Sequence, residues 1–595
     1  MFDFEFIYTA FLITAMTVLL VKELLEPDLV VFSTLVLLTA GRVITVSEAF
    51  SGFSNHGMLT VAFLFIVASS LQRTDILNVI ADRMMKQRGN ISTKLARMMF
   101  PVSAISAFFN NTPVVAMLIP VIKQWARKNG NPISKFMIPL SYASILGGIC
   151  TLIGTSTTLV VHGLMIENGL EGFSFFEISK VGVPTAIFGL LAIILFGHRL
   201  LPDRKPPMIE LNSSTREFVV EMKVNQDFRN IGRTISEAGL RHLKGLYLFQ
   251  IERGDRLISV VGPEEKILPE DRLFFTGLPS TIIELQRTPG LVTVRDPEFN
   301  LKNYDSDQLG TFEVVISPNS PLIGKNVRES DFRARYQAVI LGIHRSGERI
   351  QKKIGDIVIR SGDTLLILAK NSFAERWYHS RDFYLVSRSE SPPSKPRRYS
   401  WLSISILAIM IIAMASGLLP ILLSVCLATL ILILTGCISA QDARDSIEWK
   451  VLLIIASAFG ISRAMINSGV ADYIAVNLIS ALGAAGPLGL IAGTYFIVSF
   501  YTEIITNNAS AALIFPVSLA ISQQAGLDPR PFFITVAIAA SASFATPIGY
   551  QTNLMVYGPG GYKFKDFLRV GIPMNILIGL ITVTLVYLIY FHGRG

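Results

Sequence analysis

Two pairs of adjacent asparagines interrupt apolar runs of the sequence, and their amide groups could bind ions. The first pair lies in Asn110–Thr112 and the second in Thr506–Asn508, and each is followed by an apolar run and a proline. Asn111 and Asn507 each precede that proline by nine residues and lie 396 residues apart. Amides in apolar segments destabilise a protein unless they are hydrogen-bonded or bind something. The repeated pattern therefore predicts one paired site.

A glycine followed by polar residues interrupts an apolar run after each asparagine pair. The first interruption is Gly154–Thr158 and the second is Gly549–Asn553. Small residues in such a run can serve helix packing alone. Five consecutive residues of this kind favour instead an unwound loop, whose carbonyl and side-chain oxygens suit a hard cation such as sodium.

The asparagine pairs and the glycine loops together predict two sodium sites with an anion between them. The predicted sodium-binding residues are Asn110, Asn111, Gly154, Thr155 and Ser156 for one site and Thr506, Asn507, Gly549, Tyr550 and Gln551 for the other. The predicted anion-binding residues are Asn111, Thr112, Thr157, Asn507, Asn508, Thr552 and Asn553. These segments contain no Arg or Lys. Helix N-termini and co-bound sodium would therefore supply the positive charge, which is a physical reason for coupled transport.

Glu503 is a carboxylate inside an apolar run, four residues before Asn507. Carboxylates in such positions are candidates for a functional role. The position that matches it in the first half is Ala107, so Glu503 breaks the repeat. We expect it to brace the loop through hydrogen bonds, and proton carriage is the alternative.

The composition is that of a polytopic α-helical membrane protein. Of the 595 residues, 51% are hydrophobic and only 16% are charged, against about 25% charged in soluble proteins. Residues 203–398 are the exception and resemble soluble protein. The net charge of +9 comes from basic residues at segment ends, which indicates membrane topology rather than nucleic-acid binding. The three cysteines are scattered, and the sequence shows no nucleophile–base pair and no cluster of metal ligands. It therefore predicts no enzyme, no cofactor and no metal other than sodium.

The apolar runs of the first half predict five membrane spans and one re-entrant hairpin. The run 100–120 contains prolines and the first asparagine pair, so we expect a hairpin with its tip at Asn110–Thr112. The predicted spans are 6–22, 28–45, 57–72, 136–165 and 178–200.

The second half repeats this layout at an offset of 389 to 396 residues, so the chain contains an internal duplication. Five crossings are an odd number, so the second copy should be inverted in the membrane, as in many secondary transporters. Lys and Arg are concentrated in loops that we expect in the cytoplasm, namely 73–98, 124–135, 198–206, 396–398 and 563–569. Both termini and the loops 166–177 and 522–530 would then lie outside.

A smaller duplication, 213–295 and 311–386, separates the two membrane parts. Its alternating apolar segments predict two small α+β domains. The turn Ile323–Lys325 and the strand entry Gly362–Leu365 resemble TrkA-C domains, which implies dimerisation or the sensing of a small ligand. The predicted divisions are 1–205 and 401–595 in the membrane, cytoplasmic domains 206–300 and 301–390, and a linker 391–400.

The membrane parts resemble the divalent-anion:sodium symporter (DASS) family. The resemblance rests on Ser51–Asn55, the two asparagine pairs and the two glycine loops, and it covers 1–205 and 400–595. It implies elevator-type symport of sodium and a divalent anion by a homodimer in the plasma (inner) membrane, in contact with lipid. The inserted TrkA-C-like domains are similar to those of the sulfate-transporting branch. Sulfate is therefore the expected substrate, and a C4-dicarboxylate symporter or a non-transporting anion sensor are the alternatives.

Overall fold

The structure is a computed structural model of the chain. It describes residues 3–22, 25–72, 90–204, 219–240, 246–254, 256–259, 261–262, 264–277, 288–293, 309–317, 320–345, 348–350, 352, 354–370, 372–377, 380, 382–387 and 397–592. Most of the basic loop 73–98 and of the predicted linker 391–400 lies outside these ranges.

The N-terminal part is helical. Its helices are α1 (Phe4–Val21), α2 (Pro27–Ala40), α3 (Val46–Phe50), α4 (His56–Gln72), α5 (Ile91–Ser106), α6 (Asn111–Lys128), α7 (Met137–Gly148), α8 (Ser156–Glu167) and α9 (Ser179–Ala192), which continues to Leu200. Side-chain caps fix two of the starts, because Thr45 and Asn90 accept hydrogen bonds from backbone N–H groups in the first turns of α3 and α5.

The middle part consists of two five-stranded antiparallel sheets. The strands are β1 (Val219–Val224), β2 (Leu246–Arg253), β3 (Arg256–Ser259), β4 (Arg272–Gly277), β5 (Leu291–Thr293), β6 (Leu309–Ile316), β7 (Ala338–Arg345), β8 (Glu348–Arg349), β9 (Thr364–Lys370) and β10 (Phe383–Ser387). The orders are β3-β2-β4-β1-β5 and β8-β7-β9-β6-β10, so the two sheets have the same topology. Short helices α10 (Phe332–Tyr336) and α11 (Ser372–Trp377) accompany the second sheet. We call 219–293 the first middle unit and 309–387 the second middle unit.

The same ion pair stabilises both middle units. Arg253 donates two hydrogen bonds to Asp271, at 2.8 and 3.0 Å, and Arg345 donates two to Asp363, both at 2.7 Å. The first pair joins β2 to the residue before β4, and the second joins β7 to the residue before β9. The two pairs are 92 residues apart in the sequence. Equivalent contacts in equivalent strands support the duplication that the sequence predicts.

The C-terminal part is again helical. Its helices are α12 (Arg397–Ala415), α13 (Ile421–Leu434), α14 (Ala440–Ser446), α15 (Trp449–Asn467), α16 (Val470–Leu482), α17 (Gly486–Thr502), α18 (Asn507–Gln524), α19 (Arg530–Ser541), α20 (Gln551–Tyr557) and α21 (Phe564–Tyr590). Helix α12 begins at Arg397, so the last four residues of the predicted linker 391–400 are helical. A proline is tolerated at the start of a helix, so prolines in a linker do not prevent a helix from starting directly after them.

Several of these helices are long and apolar enough to cross a membrane. Among the described residues there are six such stretches, namely Phe4–Val21, Val46–Leu71, Ser179–Leu200, Trp449–Asn467, Val470–Thr502 and Phe564–Tyr590. Three of them include most of the predicted spans 6–22, 57–72 and 178–200. The chain is therefore built as an integral membrane protein.

Two helix pairs and two interrupted helices recur at the same spacing. Helices α5 and α6 are joined by 107–110, and α17 and α18 by 503–506. Helices α7 and α8 are separated by 149–155, and α19 and α20 by 542–550. We call the first two connections tip 1 and tip 2, each taken to include the first two residues of the following helix. We call the second two break 1 and break 2, each taken to include the first residue of the following helix.

Two glycines allow neighbouring helices to approach the breaks closely. A Cβ atom on Gly182 would lie 2.0 Å from the carbonyl oxygen of Ile149, and one on Gly571 would lie 2.1 Å from that of Phe544. These distances exclude any side chain. Helix α9 therefore packs directly on break 1, and α21 packs in the same way on break 2.

Candidate functional site

Asn111 and Asn507, which occupy matching positions in the two halves, begin helices α6 and α18 and have matching neighbours. Ser106 donates a hydrogen bond of 2.6 Å to Oδ1 of Asn111, and Thr502 donates one of 3.0 Å to Oδ1 of Asn507. Ser106 and Thr502 are the last residues of α5 and α17. A hydroxyl at the end of one helix thus orients the amide at the start of the next.

Each tip is also bonded to the break of its own half. The hydroxyl of Thr151 donates to the carbonyl oxygen of Ala107, and that of Thr546 donates to the carbonyl oxygen of Glu503 at 3.0 Å. Both donors lie in breaks and both acceptors in tips. The first position in each tip is therefore fixed in the same way, although one residue is alanine and the other glutamate.

The glycines of the breaks lie against the same tips. A Cβ atom on Gly154 would lie 2.9 Å from the carbonyl oxygen of Ala107, and one on Gly549 would lie 2.9 Å from that of Thr502. The close approach requires glycine at both positions. It brings both predicted sodium-binding loops next to the predicted sodium-binding tips.

A second set of hydrogen bonds joins each tip to the break of the other half. Thr112 donates to Oε1 of Gln551 at 2.9 Å, and Ser156 donates to Oδ1 of Asn508 at 3.0 Å. Thr112 and Asn508 are the second residues of α6 and α18, and Ser156 and Gln551 are the first residues of α8 and α20. The four side chains thus form two matching bonds, and all four are partly exposed.

The hydroxyl of Tyr550 lies where both tips meet. Asn111 donates a hydrogen bond of 2.5 Å to it, Thr155 lies 3.3 Å away, and Asn507 is also hydrogen-bonded to it. Tyr550 is 7% exposed. One phenol of break 2 therefore connects tip 1, tip 2 and break 1.

Three of the predicted anion-binding residues are turned into the protein. Thr157 is 2.6 Å from the hydroxyl of Ser541, and Ser141 donates to both Thr552 and Asn553, at 2.8 and 2.7 Å. These three residues have no exposed surface, and neither does Asn111, a fourth predicted anion-binding residue. The first three join the two halves behind the tips, whereas Asn110, Thr112, Asn507 and Asn508 keep accessible surface.

A cavity opens beside tip 1 and break 1. Its polar lining comes from Asn110 and Ser156, and its apolar wall includes Phe65 of α4 and Leu407 of α12. The remaining lining residues are Val61, Leu64, Val67, Ala68, Phe108, Phe109, Ile153 and Leu159. The cavity keeps the side chains of Asn110 and Ser156 accessible beside tip 1 and break 1.

The carboxylate of Glu503 accepts four hydrogen bonds. The backbone N–H groups of Phe544, Ala545 and Thr546 donate to it at 2.8, 2.9 and 2.8 Å, and the amide of Asn575 donates at 2.7 Å. These donors hold break 2 against tip 2 and match the bracing role expected for Glu503.

Two buried hydroxyls near tip 2 and break 2 have no partner among the described residues, namely those of Thr506 and Ser543. Buried polar groups are normally hydrogen-bonded. Hydroxyl oxygens such as that of Ser543, which lies beside Gly549, are ligands of the kind that a hard cation takes. In the described part of the chain, no group of three His, Cys, Asp or Glu residues could hold a metal ion.

Most of the residues that support the tips and breaks were not predicted from the sequence. Ser106, Thr502, Thr151 and Thr546 orient the tips and breaks, and Ser141 links the halves. The signal that could have found the first four is their spacing, because Ser106 and Thr502 are 396 residues apart and Thr151 and Thr546 are 395 apart.

Comparison with known proteins gives a family match over most of the chain. The model of a family described as citrate transporter matches residues 17–526 and 504–594. A protein of Chlamydomonas reinhardtii, provisionally named a sulfur deprivation response regulator, is 34% identical over 97% of this chain and 100% of its own length. An uncharacterized transporter of Synechocystis is 31% identical over 99% of this chain and 98% of its own. Sodium/sulfate cotransporter 1 of Chlamydomonas reinhardtii is 27% identical over 97% and 89%.

Proposed function

The chain belongs to the citrate transporter family, and on that premise we propose that it is a sodium-coupled symporter of a small divalent anion, with sulfate as the first candidate. The family makes it an integral membrane transporter, which is a different class from an enzyme. The name of the sodium/sulfate cotransporter, similar along nearly the whole chain, supports sulfate.

One observation carries the proposal, namely the paired contact of tips and breaks. Each tip is bonded to both breaks through hydroxyls and amides, and the four partly exposed side chains Thr112, Ser156, Asn508 and Gln551 form two matching bonds. Such groups can exchange their mutual hydrogen bonds for bonds to an anion or to sodium. A binding site made of neutral groups suits an anion best when a cation binds beside it.

In the proposed mechanism the two sodium ions bind first. One ion takes oxygens of Asn110, Asn111 and Gly154–Ser156, and the other takes oxygens of Thr506, Asn507 and Gly549–Gln551. The anion then binds between the tips, where the N-termini of α6 and α18 direct N–H groups toward it. Sodium binding raises the affinity for the anion, and by linkage the anion raises the affinity for sodium.

We propose that 1–205 and 401–595 are inverted repeats and that the tips and breaks move together in an elevator-type cycle. The matching hairpins, breaks and glycine contacts at offsets of 389 to 396 residues support this arrangement. The ion pair of Glu177 and Arg530 supports the placement of the loops 166–177 and 522–530 on the same side of the membrane.

The proposal places the middle units in the cytoplasm as TrkA-C-like domains, with 206–300 and 301–390 as their boundaries. The identical strand order of the two sheets supports a duplicated module. We propose that the transporter works as a homodimer through α1, α2, α12 and α13, and that the middle units contribute to the dimer or sense a small ligand.

Uptake by proteoliposomes tests the proposed function. We expect radioactive sulfate to accumulate under an inward sodium gradient and not under an equal choline gradient, and to leak out when a sodium ionophore removes the gradient. Asn111→Ala should abolish uptake, whereas Asn477→Ala, on an exposed face of α16, should not. Equal uptake with and without sodium would refute the coupling.

A C4-dicarboxylate or citrate is the second candidate substrate, and the description of the matched family favours it. Competition separates the candidates. Excess succinate or citrate should leave sulfate uptake unchanged if sulfate is the substrate. Inhibition by either carboxylate, together with uptake of that carboxylate, would assign the site to carboxylates.

A membrane sensor is the second candidate function. The response-regulator name of the relative from Chlamydomonas reinhardtii favours it. A sensor would bind sulfate, as measured by calorimetry on purified protein, without moving it across the liposome membrane. Accumulation of sulfate against its gradient would exclude a purely sensory role.

A further inference from the structure

The two middle units differ at one buried acidic position. In the first unit, Glu221 on β1 pairs with Arg272 on the neighbouring strand β4. The matching residues of the second unit, 92 positions later, are Glu313 and Thr364. Glutamate is thus retained and its arginine partner is not. Because a buried carboxylate needs a compensating group, the second unit must find one elsewhere.

Glu313 pairs with a residue of the membrane part. The ammonium group of Lys123, on α6, contacts Oε2 of Glu313, and the two side chains are only 2% and 4% exposed. The two residues are 190 positions apart. An ion pair this deeply buried is a strong link between the second middle unit and α6, because separating it would leave two charges without compensation.

The second unit makes another close contact, with α20. A Cβ atom on Gly558, which follows α20, would lie 2.3 Å from Oγ1 of Thr364, and one on Gly362 would lie 2.9 Å from Cδ1 of Leu554. Gly362 has a φ of +79°, and its counterpart in the first unit is Glu270, with a φ of +68°. The turn is therefore the same in both units. Only the second unit has glycine and threonine where the membrane helix approaches.

The two contacted helices are the ones that carry tip 1 and the end of break 2. Helix α6 begins at Asn111, and Lys123 lies about 18 Å further along it. Helix α20 begins at Gln551 and contains Leu554. Asn111 and Thr112 are in turn hydrogen-bonded to Tyr550 and Gln551. The second middle unit therefore contacts both helices whose first residues take part in the hydrogen bonds between tip 1 and break 2.

We propose that the second middle unit moves as one body with α6 and α20 during transport, and that Lys123 and Glu313 are positioning residues for the tips. If the unit separated from α6 in every transport cycle, the charges of Lys123 and Glu313 would have to be separated and hydrated each time. A unit that travels with the helices keeps the pair buried. This inference rests on the proposed transport function and adds a moving part to it.

A disulfide between the unit and the helix tests the common motion. A Cβ atom on Gly558 would lie 3.6 Å from Cβ of Thr364, which is within the range for a disulfide. We therefore propose the double variant Gly558→Cys with Thr364→Cys in the full-length chain. Its crosslink is measured by loss of free thiols after mild oxidation, with each single variant as the control. The native cysteines are common to all samples and set the background.

Common motion predicts that the oxidised double variant transports at least half as fast as the same protein after reduction. Loss of uptake on oxidation, restored by reductant, would show that unit and helix must separate, and would overturn the proposal. Absence of crosslinking in intact membranes would overturn it too, because the contact would not exist there. Wild-type protein is assayed in parallel. If it shows no sodium-driven uptake of sulfate or carboxylate, the proposed transport function fails, whereas the thiol measurement still reports on the contact.

A charge exchange tests the positioning role of the ion pair. We expect Lys123→Glu to raise the sodium concentration for half-maximal uptake at least fivefold, because the start of α6 at Asn111 is no longer held. Adding Glu313→Lys should return it to within twofold of wild type. Glu221→Gln, at the matching position of the first unit, is the control and should leave it unchanged.

A purely structural role would lower the amount of folded protein and the maximal rate and leave the sodium dependence unchanged, and that result would overturn the positioning role. If Lys123→Glu does not fold, Lys123→Met with Glu313→Leu replaces the pair by apolar residues of similar volume. This variant should fold and should show the same shift in sodium dependence if the charged contact positions the tip. Wild-type sodium dependence in it would refute the positioning role.

Discussion

The hydrogen bonds that Glu503 accepts from break 2 explain why this position needs a carboxylate. Its two oxygens accept three backbone N–H groups and the amide of Asn575. A glutamine side chain offers one acceptor oxygen and places an NH2 group against N–H donors. Leaving buried donors without partners destabilises a protein by about 1–3 kcal/mol each.

Glu503→Gln should therefore lower both thermal stability and the rate of sodium-driven uptake, with the pH profile of uptake unchanged. Uptake is measured from pH 6 to pH 8.5, and Glu5→Gln, an exposed glutamate of α1, is the control. A pH profile that flattens in Glu503→Gln would contradict bracing and would assign proton carriage to this carboxylate.

Tyr550 offers a second test, because its hydroxyl connects both tips. Tyr550→Phe keeps the ring and removes the bonds to Asn111, Asn507 and Thr155. Losing about 1–1.5 kcal/mol of hydrogen bonding at the sodium sites should weaken sodium binding, which raises the sodium concentration for half-maximal uptake roughly five- to tenfold. The measurement is uptake against sodium concentration. Tyr495→Phe is the matched control, because the Tyr495 hydroxyl is buried without a partner among the described residues. Equal behaviour of the two variants would remove Tyr550 from the site.

The sequence predicted which segments lie close together better than it predicted the direction of their side chains. The asparagines were recognisable because amides stand out in an apolar run and recur at one spacing. Thr552 and Asn553 have the expected chemistry but point toward Ser141, because the rotation of α20 about its axis decides which side chains face the tips. The reach of the Tyr550 hydroxyl depends on the packing of break 2, and no local pattern encodes it.

At the scale of elements, the loop before α9 and the start of α19 are joined by an ion pair. Arg530 donates to both oxygens of Glu177, at 2.5 and 3.0 Å, and also to the carbonyl oxygen of Gly172. Burial alone raises the pKa of Glu177, but the hydrogen bonds from Arg530 and Ser174 and the charge of Arg530 outweigh burial and lower the pKa overall. The contact ties one half of the molecule to the other.

A carboxylate whose pKa is lowered by folding stabilises the protein above its unfolded-state pKa of about 4.3 and loses that contribution as the pH falls through its folded-state pKa. Glu177→Gln should therefore lower the unfolding temperature at pH 7, and the difference from wild type should shrink below about pH 4.5. Differential scanning fluorimetry in detergent measures both. Glu171→Gln is the control, because Glu171 is 90% exposed beside the same arginine. A difference that persists unchanged into acid would show that charge plays no part in this contact.

The breaks were predictable as elements, and the link to the middle units was not. A glycine followed by polar residues marked both Gly154–Thr158 and Gly549–Asn553. The interruptions 149–155 and 542–550 include the first two residues of each segment, and the last three residues already begin α8 and α20. The start of α12 at Arg397 falls inside the predicted linker. The Ser, Pro, Lys and Arg content of Ser389–Tyr399 predicted a linker, but composition does not locate the first residue of the helix that follows. The Lys123–Glu313 contact joins residues with no local signal, so only the folded chain reveals it.

At the scale of the whole molecule, the halves form one packed body. A single apolar cluster extends through both membrane parts and includes Val315 of the second middle unit. Hydrogen bonds such as those from Ser141 to Thr552 and Asn553 cross from one half to the other within that body. A site composed of residues from both halves binds its ligands only in the assembled molecule, so ligand binding should stabilise the whole fold.

Sulfate should therefore stabilise the protein only when sodium is present. A ligand at about 100 times its dissociation constant adds about 2.7 kcal/mol to the free energy of unfolding. Because the tips and breaks contain no Arg or Lys, sulfate should raise the unfolding temperature in sodium chloride and not in choline chloride. Asn111→Ala should remove the effect, and Asn477→Ala should retain it. Stabilisation by sulfate in choline equal to that in sodium would mean that the anion needs no co-bound cation. A fixed positive charge in the site would then have to take the place of sodium.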